Sequence, residues 1–122
     1  MRGIRGAITV TENTEEAILS ATARLVQRMM KENSAHSSEI AAALFSLTPD
    51  LNAAFPARAV REMGWDTVPL LDFISPDVPG ALQRCIRVLL LWNSQTPQTS
   101  VRHVYMEGAG VLRPDLANRG EN

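Results

Sequence analysis

The sequence predicts an α+β domain: a mixed β-sheet with helices on one face. Three observations lead there. A single long amphipathic helical pattern occupies residues 14–32. Several short Ile/Val/Leu-rich runs, set off by Gly, Pro, Asn, Asp and Ser stops, read as strands. Their order along the chain, β-α-β-α-β-β-β, suits helices packed on one sheet face. At 122 residues the chain has the size of one domain, long enough to bury more than half of its unfolded surface.

The elements follow in order. In Arg2–Val10, Ile4, Ile8 and Val10 share one parity and mark one face of a strand. Gly3 and Gly6 weaken that strand but let another backbone come close. Asn13 precedes Glu16 at capping-box spacing. From Thr14 to Glu32, Ala17, Ile18, Ala21, Leu25, Met29 and Met30 recur at helical spacing, with Arg24, Arg28, Lys31 and Glu32 elsewhere. Asn33 and Ser34 end that helix. Ile40–Thr48 is ambiguous, since three alanines favour helix while its length and the Thr-Pro-Asp stop favour a buried strand.

Phe55-Pro56 opens a short helix through Glu62. Thr67–Phe73 reads as a strand with Pro69 near its start, and 75–80 as a loop. Arg84–Trp92 reads as a buried strand, Thr96-Pro97 as a turn, Val101–Met106 as a further strand, and Val111–Leu116 as an extended tail broken by Pro114. A sheet covered on one face leaves the other bare. These strands are too apolar for a wet face, which predicts oligomerisation through it.

Composition narrows the function. A net charge of −1 gives no global basic field for nucleic acid or anionic membrane. Cys85 is the one cysteine, so no internal disulfide or multi-cysteine metal site can form, and no metal or other cofactor is expected. Residues 1–10 lack the apolar core of a signal peptide, and the apolar run Val88–Trp92 is far too short to span a bilayer. The expected location is cytoplasmic. No order of Ser, His and Asp, or of Cys and His, suggests a nucleophile, and no glycine-rich phosphate loop is present.

What the chain offers is arginine inside apolar segments. Eleven of its twelve basic residues are Arg, whose planar fork suits carboxylates. Arg5 lies in the first strand, Arg87 interrupts Cys85–Trp92, and Arg113 follows Val111-Leu112. Charge in a buried strand is rare unless paired. Taken alone, Arg87 reads as half of a structural ion pair with Glu107 or Asp72. Arg5 reads equally as part of a solvated face, and Arg113 as a residue of a mobile tail. Together the three would suit a ligand with several carboxylates.

Six blocks carry a resemblance: Arg2-Gly3-Ile4-Arg5-Gly6-Ala7, Thr48-Pro49-Asp50-Leu51, Phe55-Pro56-Ala57-Arg58-Ala59-Val60-Arg61-Glu62, Cys85-Ile86-Arg87-Val88, Arg102-His103-Val104-Tyr105 and Val111-Leu112-Arg113-Pro114-Asp115-Leu116. In this order they resemble the small monofunctional chorismate mutases of bacteria, from residue 2 to about 116. The resemblance makes 1–116 one chorismate mutase domain and leaves 117–122 as a flexible tail. It implies a homotrimer whose sheets form a pseudo-α/β-barrel, with active sites between subunits. It also resolves Ile40–Thr48 as a strand.

The implied reaction is the one-step rearrangement of chorismate to prephenate, towards phenylalanine and tyrosine. An ether C–O bond breaks as a C–C bond forms, with no proton transfer and no covalent intermediate. That agrees with the missing nucleophile and base. Catalysis then comes from holding the compact conformer and from stabilising charge that grows on the ether oxygen.

By resemblance, Arg87 donates to that oxygen and to a carboxylate, while Arg5 and Tyr105 hold the substrate from the same wall. Phe55, Ala57 and Arg58 come from the neighbouring subunit, and the family more often has Lys at the position of Arg58. Leu70 and Leu71 join the substrate-binding set. Arg61, Leu112 and Arg113 cover the mouth and attract the dianion. Core packing is the plainer account of Tyr105 and Phe55.

One departure concerns a family Glu, in the loop after the third strand, that binds the substrate hydroxyl. Ser75 stands at that position, and Asp72 stands three residues earlier where Cys is usual. Asp72 is expected to supply the missing carboxylate, with a strand-end Asp or a salt bridge to Arg87 as the alternatives. His103 could line the cleft edge, and Cys85 reads as small packing beside Arg87. Two other classes compete: a non-catalytic trimeric binder of small carboxylates, and an imine or enamine deaminase on a similar sheet.

Overall fold

The structure, a computed structural model, describes residues 1–112. The expectations for Arg113, for the extended run to Leu116 and for the tail 117–122 lie outside the described residues. The chain order is β1 (Arg2–Thr9), α1 (Glu15–Glu32), β2 (Ile40–Leu47), α2 (Ala57–Glu62), β3 (Leu70–Ile74), β4 (Cys85–Trp92) and β5 (Val104–Met106). Short 3₁₀ turns stand at Ser37–Glu39, Gln98–Ser100 and Glu107–Leu112. The strands form one sheet in the order β3-β2-β4-β1-β5. The central strand β4 runs antiparallel to β1 and β2, and the outer pairs β2–β3 and β1–β5 are parallel. This is the mixed α+β sheet that the sequence predicts.

β2 is the segment with the helix-strand ambiguity. Its alanines favour helix by only a few tenths of a kcal/mol each. Pairing on both edges and full burial of Phe45 outweigh that preference.

α1 is capped by Thr14, not Asn13. Thr14 is extended (φ −131°), and its Oγ1 accepts the Ala17 N–H at 3.1 Å. The Asn13 side chain instead accepts the Asn52 and Ala53 N–H groups, tying the start of α1 to the segment before α2. Glu15 and Glu16 in the first turn and Lys31 in the last complement the helix dipole.

The buried stripe of α1 (Ile18, Ala21, Leu25, Val26 and Met29) seats on Ile4 and Ile8 of β1. Phe45, Ile86, Val88, Leu90 and Val104 complete this core from the other strands. Gly6 makes the close seating possible, because a Cβ there would lie 2.4 Å from Met29 Sδ and 3.1 Å from Leu25 Cδ1. The sequence suggested approach of a backbone; helix side chains are what fill the space.

Three boundaries differ from expectation. β3 begins at Leu70, because Pro69 has no N–H to give the ladder and contributes only its carbonyl, to Ala43 N. β5 is three residues long, since His103 meets β1 with its side chain rather than its backbone. Val111 and Leu112 lie in a 3₁₀ turn rather than an extended run. No described helix is long and apolar enough to cross a membrane.

Gly6→Ala should cost about 1–3 kcal/mol of stability through overpacking against Met29 and Leu25, read as a lower urea midpoint with an unchanged slope.

Candidate active site

Directly paired residues of neighbouring strands share a face of the sheet. On the face away from α1, Tyr105, Ala7, Arg87, Ser46 and Phe73 form one transverse row. The adjacent row holds Arg5, Leu89, Leu44 and Leu71. These two rows floor a cavity of about 360 Å³, with Leu112 of the last 3₁₀ turn at its wall. Arg87 has Ala7 and Ser46 as its lateral neighbours, both small, so space remains above the strand. Arg5 stands diagonally from Arg87, a separation of about 7–8 Å between Cα atoms.

Both arginines are exposed, although the residues on either side of each are buried. Among the described residues neither forms an ion pair. The two acids that could have paired with Arg87 are engaged elsewhere: Glu107 binds Arg24 at 3.1 Å, and Asp72 accepts the Ala57 N–H at 2.9 Å. Among the described residues no carboxylate lines the cavity. Within those residues it presents two cations in an apolar setting with no anion to balance them.

The backbone around each arginine is fixed. The Arg5 N–H donates to His103 Nδ1 at 2.9 Å, so the neutral ring carries its proton on Nε2. At the start of β4, Arg84 adopts φ +48°, a left-handed conformation that a side chain disfavours. The Asp50 carboxylate accepts the Arg84 N–H at 2.9 Å. Thr48 Oγ1 accepts the Cys85 N–H at 2.9 Å and donates to Asp50. The Thr48-Pro49-Asp50 block thus clamps the strand end that carries Arg87. Cys85 is fully buried on the same face, and burial pushes its thiol up against the opposing Arg87 guanidinium, so it stays neutral.

The remaining expected residues form a second group. Phe55 is 69% exposed just ahead of α2, Ala57 is buried in its first turn, and Arg58 and Arg61 are exposed along it. Arg58 binds Glu62 at 3.0 Å and Glu15 at 3.1 Å, and these bonds raise its pKa.

Leu70 and Asp72 share the helix-side face with Ala43 and Phe45, whereas Leu71 is on the open face. Asp72 and Arg87 are therefore on opposite faces of one copy. Burial raises the Asp72 pKa, while the Ala57 N–H and the Arg61 charge hold it down. Its carboxylate takes a backbone donor of α2 that no N-cap side chain satisfies. One chain thus brings Arg5, Arg87, Tyr105 and Leu112 together, and places the α2–β3 group on a separate wall.

Ser46 and Ser75 went unremarked as a pair. Ser75 Oγ donates to Ser46 Oγ at 3.0 Å beside Arg87. A polar residue among the apolar residues of β2, at the parity opposite to Phe45, was the available signal.

Residues 1–116 match the family model of chorismate mutase type I. The chain belongs to this family. It is 55% identical to chorismate mutase AroH of Thermus thermophilus over 95% of this chain and 96% of that protein. It is 48% identical to chorismate mutase AroH of Bacillus subtilis, over 96% of this chain and 93% of that protein. The solved chorismate mutase from Clostridium thermocellum superposes with a TM-score of 0.88 at 41% identity, covering 89% of this chain and 97% of the other. Both groups of residues and the clamp on β4 lie inside the segment matched to chorismate mutase type I.

Asp72 gives a pH test with a definite sign. Its folded pKa lies above its ordinary value of 3.8. Through the window between those values the folded chain holds a proton that the unfolded chain has lost, so stability falls as pH rises, and the penalty is complete above the raised pKa. Asp72→Asn keeps an acceptor for Ala57 and removes the charge. Its melting temperature should exceed the parent's at about pH 7, with the difference vanishing by about pH 3.

Proposed function

We propose that this member of the chorismate mutase type I family converts chorismate to prephenate in a cleft that a neighbouring copy of the chain completes. The observation that carries the reading is the pair Arg5 and Arg87: exposed, without ion-pair partners among the described residues, and aimed at a cavity that no described carboxylate lines. A dicarboxylate supplies the missing counter-charge, and Arg forks accept carboxylates in bidentate fashion.

The rearrangement moves electrons around a ring of six atoms in the substrate. It breaks the ether C–O bond, forms a C–C bond, and leaves no proton to be moved by the protein. Arg87 donates to the ether oxygen as negative charge grows there, and to a carboxylate. That stabilisation is larger in the transition state than in the ground state, which is what accelerates the step. Arg5 and Tyr105 hold the substrate from the same wall and keep it in the compact conformer. The neutral Cys85 thiol leaves the charge of this wall constant.

The second wall comes from another copy. Phe55, Ala57, Arg58, Leu70 and Asp72 do not line the cavity beside Arg87 within one chain, and their clustering around α2 and β3, with Leu71 beside them on the open face, supports their acting on a neighbour's substrate. In this role Asp72 orients the α2 end of the wall through the Ala57 N–H. Arg61 and Leu112 guard the mouth. A homotrimer closes such head-to-tail contacts into a ring with three equivalent sites. Large apolar side chains left exposed, Leu71, Phe73 and Ile74 among them, support cover by a second copy. A cytoplasmic location goes with a product that feeds aromatic amino-acid biosynthesis.

Purified chain without added metal or cofactor should consume chorismate and form prephenate. Arg87→Ala should lower kcat by at least about 10²–10³-fold, the loss typical of a transition-state donor. A folded chain that leaves chorismate untouched would sink the reading.

The shared site has its own test. Arg87→Ala and Arg58→Ala variants, each impaired alone, should regain activity when unfolded and refolded together at equal amounts. About one quarter of the mixed sites then carry both arginines. No recovery on mixing would place all the substrate contacts within one chain.

A further inference from the structure

Leu112 stands at the cavity wall, at the end of the 3₁₀ turn Glu107–Leu112 that follows β5. The junction between β5 and this turn is built against local preference. Glu107 has φ +53°, a left-handed conformation that a side chain disfavours and that glycine adopts freely. The glycine stands one position later instead. There contact with β1 favours it, because a Cβ on Gly108 would lie 3.0 Å from Thr9 Oγ1.

The side chain kept at Glu107 has a partner. Its carboxylate binds Arg24 of α1 at 3.1 Å. From the sheet, Thr9 Oγ1 accepts the Gly108 N–H at 2.8 Å. Adjacent residues of the junction are thus held from two different elements. Thr9 also pairs in register with Cys85, which ties the second bond to the strand that carries Arg87. The next residue, Ala109, is fully buried against Ala7, Cys85 and Tyr105. Leu112 packs on the same cluster. A continuous path of bonds and packing therefore runs from Arg24 and Thr9 to the wall of the cavity.

We propose that Arg24, Glu107 and Thr9 are positioning residues for the reaction: a two-point latch that fixes where the 3₁₀ turn begins and so seats Leu112 against the substrate. The inference rests on the chorismate reading above and extends it to three side chains that do not line the cavity beside Arg87. An apolar wall holds substrate and transition state alike. The latch therefore acts on KM and leaves kcat within about twofold of the parent value.

Steady-state kinetics with chorismate decide it. Both partners of the ion pair are about half exposed, so reversing their charges leaves the core untouched. Arg24→Glu and Glu107→Arg each set like charges against one another. Each should raise KM roughly two- to fivefold, the scale of an exposed ion pair. The double variant restores the pair with its signs exchanged and should return KM to within about twofold of the parent's. Steering of a dianion by net charge alone would give a different pattern, with Arg24→Glu raising KM and Glu107→Arg lowering it. Thr9→Val removes the acceptor for Gly108 and should raise KM about three- to tenfold. Thr9→Ser keeps the oxygen and should hold the parent KM. In a Leu112→Ala background the charge reversals should add nothing, because the side chain they seat is gone.

Opposite changes of KM in the two reversed variants overturn the proposal. So does a double variant no better than the singles, or an undiminished effect of reversal in the Leu112→Ala background. A parent that leaves chorismate unconverted removes the proposed function, and this inference with it. Conversion by a parent whose KM is indifferent to both reversals removes the inference alone.

Discussion

Side chains of β4 must alternate between two faces, and β4 is the central strand, laddered to β1 on one edge and to β2 on the other. The helix-covered face takes Ile86, Val88, Leu90 and Trp92 into the core. Arg87 is thereby driven onto the open face, flanked by Ala7 and Ser46. A slip of one residue would bury the guanidinium and expose all four of these core side chains, so the register carries both stability and chemistry. It is pinned at each end. Asp50 and Thr48 bind the first residues of β4, the Val10 N–H bonds Arg84 O, and the Asn93 N–H bonds Glu39 O beyond Trp92. The left-handed backbone at Arg84 persists because three of these bonds converge on it and on Cys85.

Electrostatic consequences follow from that placement. Two arginines in a strand interior would be costly if buried without partners. Here exposure keeps both solvated, and His103 and the β4 clamp hold their backbones in place without spending their charges. The acids nearby are diverted: Glu107 to Arg24, Asp72 to the Ala57 N–H, and Glu15 and Glu62 to Arg58. What remains over the open face among the described residues is positive charge without an acid to balance it, which on the proposed function a small dianion neutralises without any proton moving.

The sequence showed this arrangement unevenly. Arg5 and Arg87 stood out because a cation inside an apolar strand is visible from composition and parity alone. The helix-strand question at Ile40–Thr48 was undecidable locally, since the ladders that settle it come from β3 and β4, distant in sequence. Parity within β3 separates Leu71 from Asp72, but it does not say which of them faces the helices. Only the parallel register with β2, Phe45 opposite Asp72, assigns the faces. The Ser46–Ser75 contact spans 29 positions and was hidden for the same reason. Asn13 and Thr14 are adjacent and chemically equivalent as caps; the pull of residues 52 and 53 on Asn13 decided between them. Among the described residues the sequence blocks are physically distinct: some carry the arginines, while Thr48-Pro49-Asp50 holds the strand of Arg87.

Cover and catalysis make the same demand on the open face. Leu71, Phe73 and Ile74 on the edge strand β3 are 58%, 48% and 71% exposed, an apolar margin that a lone chain leaves in water. Arg87 is exposed beside them. In water the attraction between two unit charges about 4 Å apart is about 1 kcal/mol, and near a protein surface about 4. A second copy seated over β3 would bury the apolar margin and exclude water from Arg87 in one step. The guanidinium would then act on a developing negative charge several-fold more strongly than it can in a single chain. On the proposed function, assembly is therefore part of the catalytic electrostatics, because Phe73, which requires covering, and Arg87, which benefits from cover, share one row of the sheet.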